Sequence, residues 1–207
     1  MKSKFGEALN LFQNGKLKEA KNTCEKILKQ ETNNSQVYNL YAFTLYYLEK
    51  FDAAAECWSK AIKINPNYIE AYNGRGNAFI KLHNLDEAII NFNQAIKINP
   101  NYFEAYNNLG NAFINLEKLN QAMASYDKAI KIKPDYAHAY HGRAYTLMKS
   151  LKLEEAVNNW NKAIKINPNF VDAYSERGHA LVALNRLDEA LESYNSAYTL
   201  NPDYKFL

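Results

Sequence analysis

Three histidines are the first residues whose type and spacing could do chemistry. His138 and His141 stand three apart, the separation that puts two side chains on one face of a helix, and His179 lies further along the chain. Three imidazoles could meet a metal ion. Nothing else in the sequence supports a metal, and helical histidines on a polar surface ordinarily make hydrogen bonds or peptide contacts, so neither a metal nor any other cofactor is expected. Asparagine is the second candidate. An amide both donates and accepts, so a row of them can pair with the N–H and C=O groups of an extended peptide whatever its side chains. The opposing reading is compositional: the chain has 28 asparagines, and many, such as Asn65, Asn67, Asn99, Asn101, Asn167 and Asn169, fall in expected loops. No glycine-rich phosphate loop, nucleophile elbow or carboxylate pair set apart from the surface charge is found, so catalysis is not expected.

The elements that position these residues are given by the prolines. All five, Pro66, Pro100, Pro134, Pro168 and Pro202, recur at a spacing of 34 residues. A single core does not require such a period, whereas stacked repeats do. Counting back from each proline, repeats run over 35–68, 69–102, 103–136, 137–170 and 171–204, with a degenerate repeat over 1–34 and residues 205–207 left as the start of a missing cap or following region. The chain is read as one array. An aromatic recurs at the fourth position of the repeat (Tyr38, Tyr72, Tyr106, Tyr140, Tyr174) and a small residue at the eighth (Ala42, Gly76, Gly110, Ala144, Gly178). A second stripe has Ala at the twentieth (Ala54, Ala88, Ala122, Ala156, Ala190), an aromatic at the twenty-fourth (Trp58, Phe92, Tyr126, Trp160, Tyr194) and a small residue at the twenty-seventh (Ala61, Ala95, Ala129, Ala163, Ala197). The spacings four and three mark one face of a helix. Each repeat is therefore expected to be an antiparallel pair of amphipathic helices of about 12 to 14 residues, the second ended by the proline. The small positions should admit a close neighbour and the aromatics fill the spaces between.

Composition excludes other classes. A hydrophobic content of 47% excludes disorder, and no apolar run reaches the roughly 18 residues a membrane span needs. The N-terminal sequence shows no secretory apolar stretch, so a cytoplasmic protein is expected. The 25 basic and 22 acidic side chains are dispersed, which disfavours nucleic acid as a partner. Lys63, Lys97, Lys131 and Lys165 precede the proline turns, where cations offset the negative pole of a helix. Cys24 and Cys57 occupy helical core positions and are expected to be reduced packing residues.

These positions resemble the tetratricopeptide repeat (TPR) family. Tyr106-Asn107-Asn108-Leu109-Gly110-Asn111-Ala112-Phe113 follows the family pattern for the first helix, and the likeness covers essentially the whole chain. Residues 1–34 depart most, although Ala8, Leu11, Gly15, Leu17, Ala20 and Ile27 keep the pattern. The resemblance implies an all-α, right-handed superhelical solenoid of six helix-turn-helix repeats. It also implies a concave groove lined by positions 2, 5, 6, 9, 12 and 13 of each repeat, which are the positions left free by the core stripe. On that basis the candidate peptide-binding residues are Asn73, Asn77, Lys81, Glu104, Asn107, Asn108, Asn111, Asn115, His138, His141, Tyr145 and His179. Gly74 falls on the same positions. Asn108 is similar in place to the asparagine ladder in the TPR arrays of O-linked N-acetylglucosamine transferases. A family clamp for C-terminal carboxylates is not expected: Asn73, Asn77, Asn108, His138 and Gly142 stand at its positions, and every basic member is missing. Tyr46, Tyr47, Tyr145 and Met148 are read as apolar or aromatic anchors for a peptide, or else as packing between neighbouring first helices.

At the C-terminal end, Leu191, Tyr194, Tyr198 and Leu200 are expected to face water, so that either the natural chain continues or this end self-associates with another copy. The terminal Pro-Asp-Tyr-Lys-Phe-Leu is similar to the junction ahead of the catalytic region in bacterial relatives of those transferases. Two functions follow. The first is a noncatalytic scaffold that binds an extended peptide or protein segment, without nucleic acid or membrane. The alternative is the acceptor-recognition module of a larger glycosyltransferase.

Overall fold

A computed structural model describes residues 4–203, so the expectations placed on residues 205–207, and on most of the terminal Pro-Asp-Tyr-Lys-Phe-Leu, lie outside the described residues. Twelve α-helices and no strands are present among the described residues: α1 Lys4–Gln13, α2 Leu17–Leu28, α3 Ser35–Tyr47, α4 Phe51–Ile64, α5 Ile69–Lys81, α6 Leu85–Ile98, α7 Phe103–Asn115, α8 Leu119–Ile132, α9 Ala137–Lys149, α10 Leu153–Ile166, α11 Val171–Ala183 and α12 Leu187–Leu200. The five first helices from α3 onward begin at the residues from which the proline count starts each repeat. The chain divides into two compact units, one up to Asn101 and one from Tyr102.

The punctuation between helices repeats as regularly as the helices do. At the end of α4, α6, α10 and α12 an asparagine turns to extended backbone (Asn65, φ −127°, is representative), and a proline follows that cannot rejoin the helix. The asparagine side chain then accepts the N–H two residues on, Asn65 from Asn67 at 3.1 Å and Asn99 from Asn101 at 2.9 Å. Between the two helices of each repeat the fifteenth position takes a left-handed conformation. Gly15 holds it at φ +72°, but Glu49, His83, Glu117, Leu151 and Asn185 hold it at φ between 56° and 58°.

Packing uses the small and large positions as the pattern requires. The small residues at the twentieth and twenty-seventh positions are buried throughout, and Trp58, Phe92, Tyr126 and Trp160 are completely buried. A Cβ added to Gly76 would overlap Phe92, and one added to Gly110 would overlap Tyr126, so the eighth position is small because the aromatic of its own repeat lies against it. Cys24 and Cys57 are buried free thiols; burial pushes Cys24 up to about 12 and Cys57 up to about 11, which keeps both as protonated packing groups.

At the C-terminal helix the expectation holds for three residues and fails for one. Leu191, Tyr198 and Leu200 are exposed, but Tyr194 is half-buried, its ring against Gly178 and 5.5 Å from that of His179. Tyr194 occupies the twenty-fourth position, where Gly178 of its own repeat lies against the ring; at Trp58 and Tyr126 a glycine of the following repeat covers the ring as well.

Candidate functional site

Within each unit, first helices touch first helices: α1 meets α3 and α3 meets α5 in one, α7 meets α9 and α9 meets α11 in the other. Within each unit, among the described residues, second helices touch only first helices. The first helices of each unit therefore form its tighter, inner layer.

Several of these positions are engaged inward, on the aromatics of the second helices. Trp58 Nε1 donates to Asn39 Oδ1 at 2.9 Å, Trp160 Nε1 donates to His141 Nδ1 at 3.2 Å, and the Tyr126 hydroxyl donates to Asn111 Oδ1 at 2.6 Å. A buried indole or phenol needs an acceptor, and the first helix supplies it. His141 is consequently a structural acceptor. Burial, above the opposing charge of Asp172, lowers its pKa to about 4, so the ring is neutral and keeps the lone pair that Trp160 requires.

The sixth position also turns out to be part of the packing. A Cβ on Gly74 would meet Trp58 of the preceding repeat, and one on Gly142 would meet Tyr126, so at these two positions the packing of the aromatic requires glycine. Asn107 is likewise buried, at 6% exposure, with its amide donating to Asn108 Oδ1 at 3.3 Å. The three histidines do not converge. His138 is exposed beside the Tyr136 and Phe170 rings, His141 faces Trp160, and His179 lies 3.8 Å from Glu176. Among the described residues no group of three or more His, Cys, Asp or Glu could hold a metal.

What the structure brings together is a hollow of about 350 Å³ in the C-terminal unit, lined by Asn111, Ile114, Asn115, His141, Tyr145 and Glu176 from α7, α9 and α11, with Tyr126 and Gly142 at its floor. A second hollow of about 510 Å³ shares Ile114, Asn115 and Tyr145 and adds Lys149. The surface is mixed: aromatic and aliphatic side chains beside amides, the carboxylates of Glu176 and Glu117 and the ammonium of Lys149. Glu176 had no place among the sequence candidates, although it stands at a sixth position. In the N-terminal unit, Asn73 and Asn77 are half-buried and Lys81 is exposed on α5. There the rings of Phe12 and Tyr47 lie 5.7 Å apart and those of Tyr46 and Tyr47 5.8 Å apart, with Tyr47 61% exposed.

The arginines of the first helices are drawn into contacts with the second helices. Arg143 Nε donates to Asp127 Oδ1 at 2.7 Å and its Nη1 to Asn159 Oδ1 at 3.0 Å. Arg177 donates to Asn161 at 2.7 Å and Ser193 at 3.1 Å, and Arg75 to Ser59 at 3.0 Å and Asn91 at 2.7 Å. All three stand at the seventh position and bridge the twenty-fifth of the preceding repeat to the twenty-third of their own. Tyr41, also seventh, reaches Glu25 at 2.7 Å in the same register. The recurrence of Arg at that position was a signal the sequence offered and the stripe analysis passed over.

Comparison with known families settles what kind of repeat this is. A profile for the TPR repeat matches residues 44–83, 76–116, 110–150 and 152–185, and one for the tetratricopeptide repeat matches 171–204. The chain belongs to the tetratricopeptide repeat family. Among solved structures this TPR protein is similar to PilW, a widely conserved type IV pilus biogenesis factor, at 22% identity over 99% of this chain and 94% of that one, with a TM-score of 0.88. It is similar to PilF of Pseudomonas aeruginosa at 16% identity over 98% and 92%, TM-score 0.82. It is also similar to YrrB, a TPR protein with an unusual peptide-binding site, at 20% identity over 88% and 94%, TM-score 0.62. At these identities the likeness is one of fold. No curated protein matches the sequence.

Proposed function

We propose that this TPR protein is a noncatalytic interaction scaffold that binds an extended peptide or protein segment on the inner face of its first helices. The observation that carries the reading is the hollow among α7, α9 and α11, whose lining comes from the groove positions of three successive repeats. Amide groups of Asn115 and Asn111 offer donors to a peptide backbone, and Tyr145 and Ile114 offer apolar area to a side chain. Asn111 gives its oxygen to Tyr126, which leaves its amide nitrogen as the group for a ligand. YrrB, described as having a peptide-binding site, shares the fold and adds weight to a protein or peptide partner.

The test is selection of binding peptides from a displayed random library, followed by calorimetry on the wild type and on Asn115→Ala and Ile114→Asp. The expected result is a loss of about tenfold or more in affinity for both variants with unchanged thermal unfolding. Peptides whose affinity ignores both substitutions would overturn the reading.

A further inference from the structure

We propose that the hollow among α7, α9 and α11 selects a segment carrying a side-chain carboxamide, a glutamine or an asparagine, whose oxygen is received by Asn111 and His141 and whose amide nitrogen is received by Glu176; this rests on the scaffold reading above and names its ligand class.

Two of the side chains that line the hollow are engaged by aromatics in a way that fixes what each has left for a ligand. Asn111 is exposed, and its Oδ1 accepts from the Tyr126 hydroxyl at 2.6 Å, so the amide is held one way round and presents its nitrogen. His141 is half-buried, and its Nδ1 accepts from the Trp160 indole at 3.2 Å. A neutral imidazole carries one proton, so Nε2 of His141 is a donor. Glu176 supplies the opposite function from α11. Its side chain keeps 28% of its surface exposed, and His179 Nδ1, at 3.8 Å, is beyond hydrogen-bond reach. All three line one hollow of about 350 Å³, which has room for a side chain.

Two donors and a carboxylate around one hollow match few ligand groups. A carboxamide oxygen has two lone pairs and its nitrogen two protons, so the group answers both donors and the carboxylate without bringing a charge. A glutamate side chain would suit the donors but would set like charge against Glu176. An arginine or lysine would pair with Glu176, yet it brings only further donors to Asn111 and His141, whose N–H groups would lose water without gaining an acceptor. A leucine answers none of the three. Ile114, which lines the same hollow, offers apolar area to the methylene stem of a glutamine.

The experiment uses the full chain, labelled with nitrogen-15, and four synthetic decapeptides of serine and alanine, identical except for one central residue, which is Gln, Glu, Arg or Leu. The Gln peptide is expected to shift the side-chain resonances of Asn111 Nδ2 and His141 Nε2 and to bind about tenfold tighter than each of the other three. Glu176→Gln removes the charge and keeps the shape, and it should bring the Glu peptide to within about threefold of the Gln peptide. If the Glu, Arg or Leu peptide binds the inner face as tightly as the Gln peptide, or if Glu176→Gln leaves the rejection of the Glu peptide intact, the carboxamide proposal fails and the scaffold reading stands. If none of the four shifts an inner-face resonance, both fail. The wild-type comparison decides the matter even if the variant does not fold.

Discussion

Trp160 donates its indole N–H to Nδ1 of His141, on the helix facing it, at 3.2 Å. The bond needs a neutral imidazole, and burial supplies one by lowering the histidine pKa to about 4. In the unfolded chain the same side chain titrates near 6.5. The folded state therefore binds fewer protons than the unfolded state between those values, and stability must fall as pH drops through that window. The loss from this residue should approach about 3 kcal/mol near pH 4 and vanish above pH 7. Asn39 performs the same task for Trp58, so His141→Asn should keep the acceptor and remove this share of the pH dependence. Urea unfolding of both proteins at pH 7.5 and pH 4.5 checks it: the difference between the two pH values should shrink in the variant.

Tyr126 is held between Gly110 and Gly142, with its hydroxyl fixed on Asn111. Gly142→Ala has two opposing consequences. Better helix propensity favours it by about 1 kcal/mol, whereas forcing a methyl group into a ring that cannot swing aside costs about 1 to 3 kcal/mol. The second should win, giving a net destabilisation of about 1 kcal/mol. Denaturant midpoints at neutral pH measure it, and a midpoint that rises would show that the ring has room to move.

Leu151 sits at φ 58° with 85% of its surface exposed. It pays the left-handed strain of a residue with a Cβ and recovers little by burial. Leu151→Gly should raise stability by about 1 kcal/mol, and Gly15→Ala should lower it by a similar amount. Paired thermal melts of the two variants test the turn from both directions.

Arg143 ties α8 to α10 through Asp127 and Asn159. Arg143→Met should cost about 1 to 2 kcal/mol, because Asn159 is buried and loses a donor while the alkyl stem is kept. Arg143→Lys should recover only part, since one ammonium cannot reproduce the fork that spans both partners. Because this arginine faces away from the hollow, peptide affinity of the folded Arg143→Met protein should match that of the wild type, and a large loss would place Arg143 in the site.

The sequence by itself determined the repeat, its helices and its packing code. A period of 34 with small residues opposite aromatics specifies hairpins that begin at Ser35, Ile69, Phe103, Ala137 and Val171, because local faces of a helix are written in spacings of three and four. It also placed Asn111, Asn115, His141 and Tyr145 on the face where the hollow forms. Only the tertiary structure decided what those side chains do. Asn111 and His141 are claimed by aromatics 15 and 19 residues away, Gly74 and Gly142 by rings of the preceding repeat, and Arg143 by partners 16 residues to either side. Periodicity tells which way a side chain points. It does not tell which buried hydroxyl or indole will claim it, because that depends on distances between helices, which are set when the aromatics and glycines close on one another.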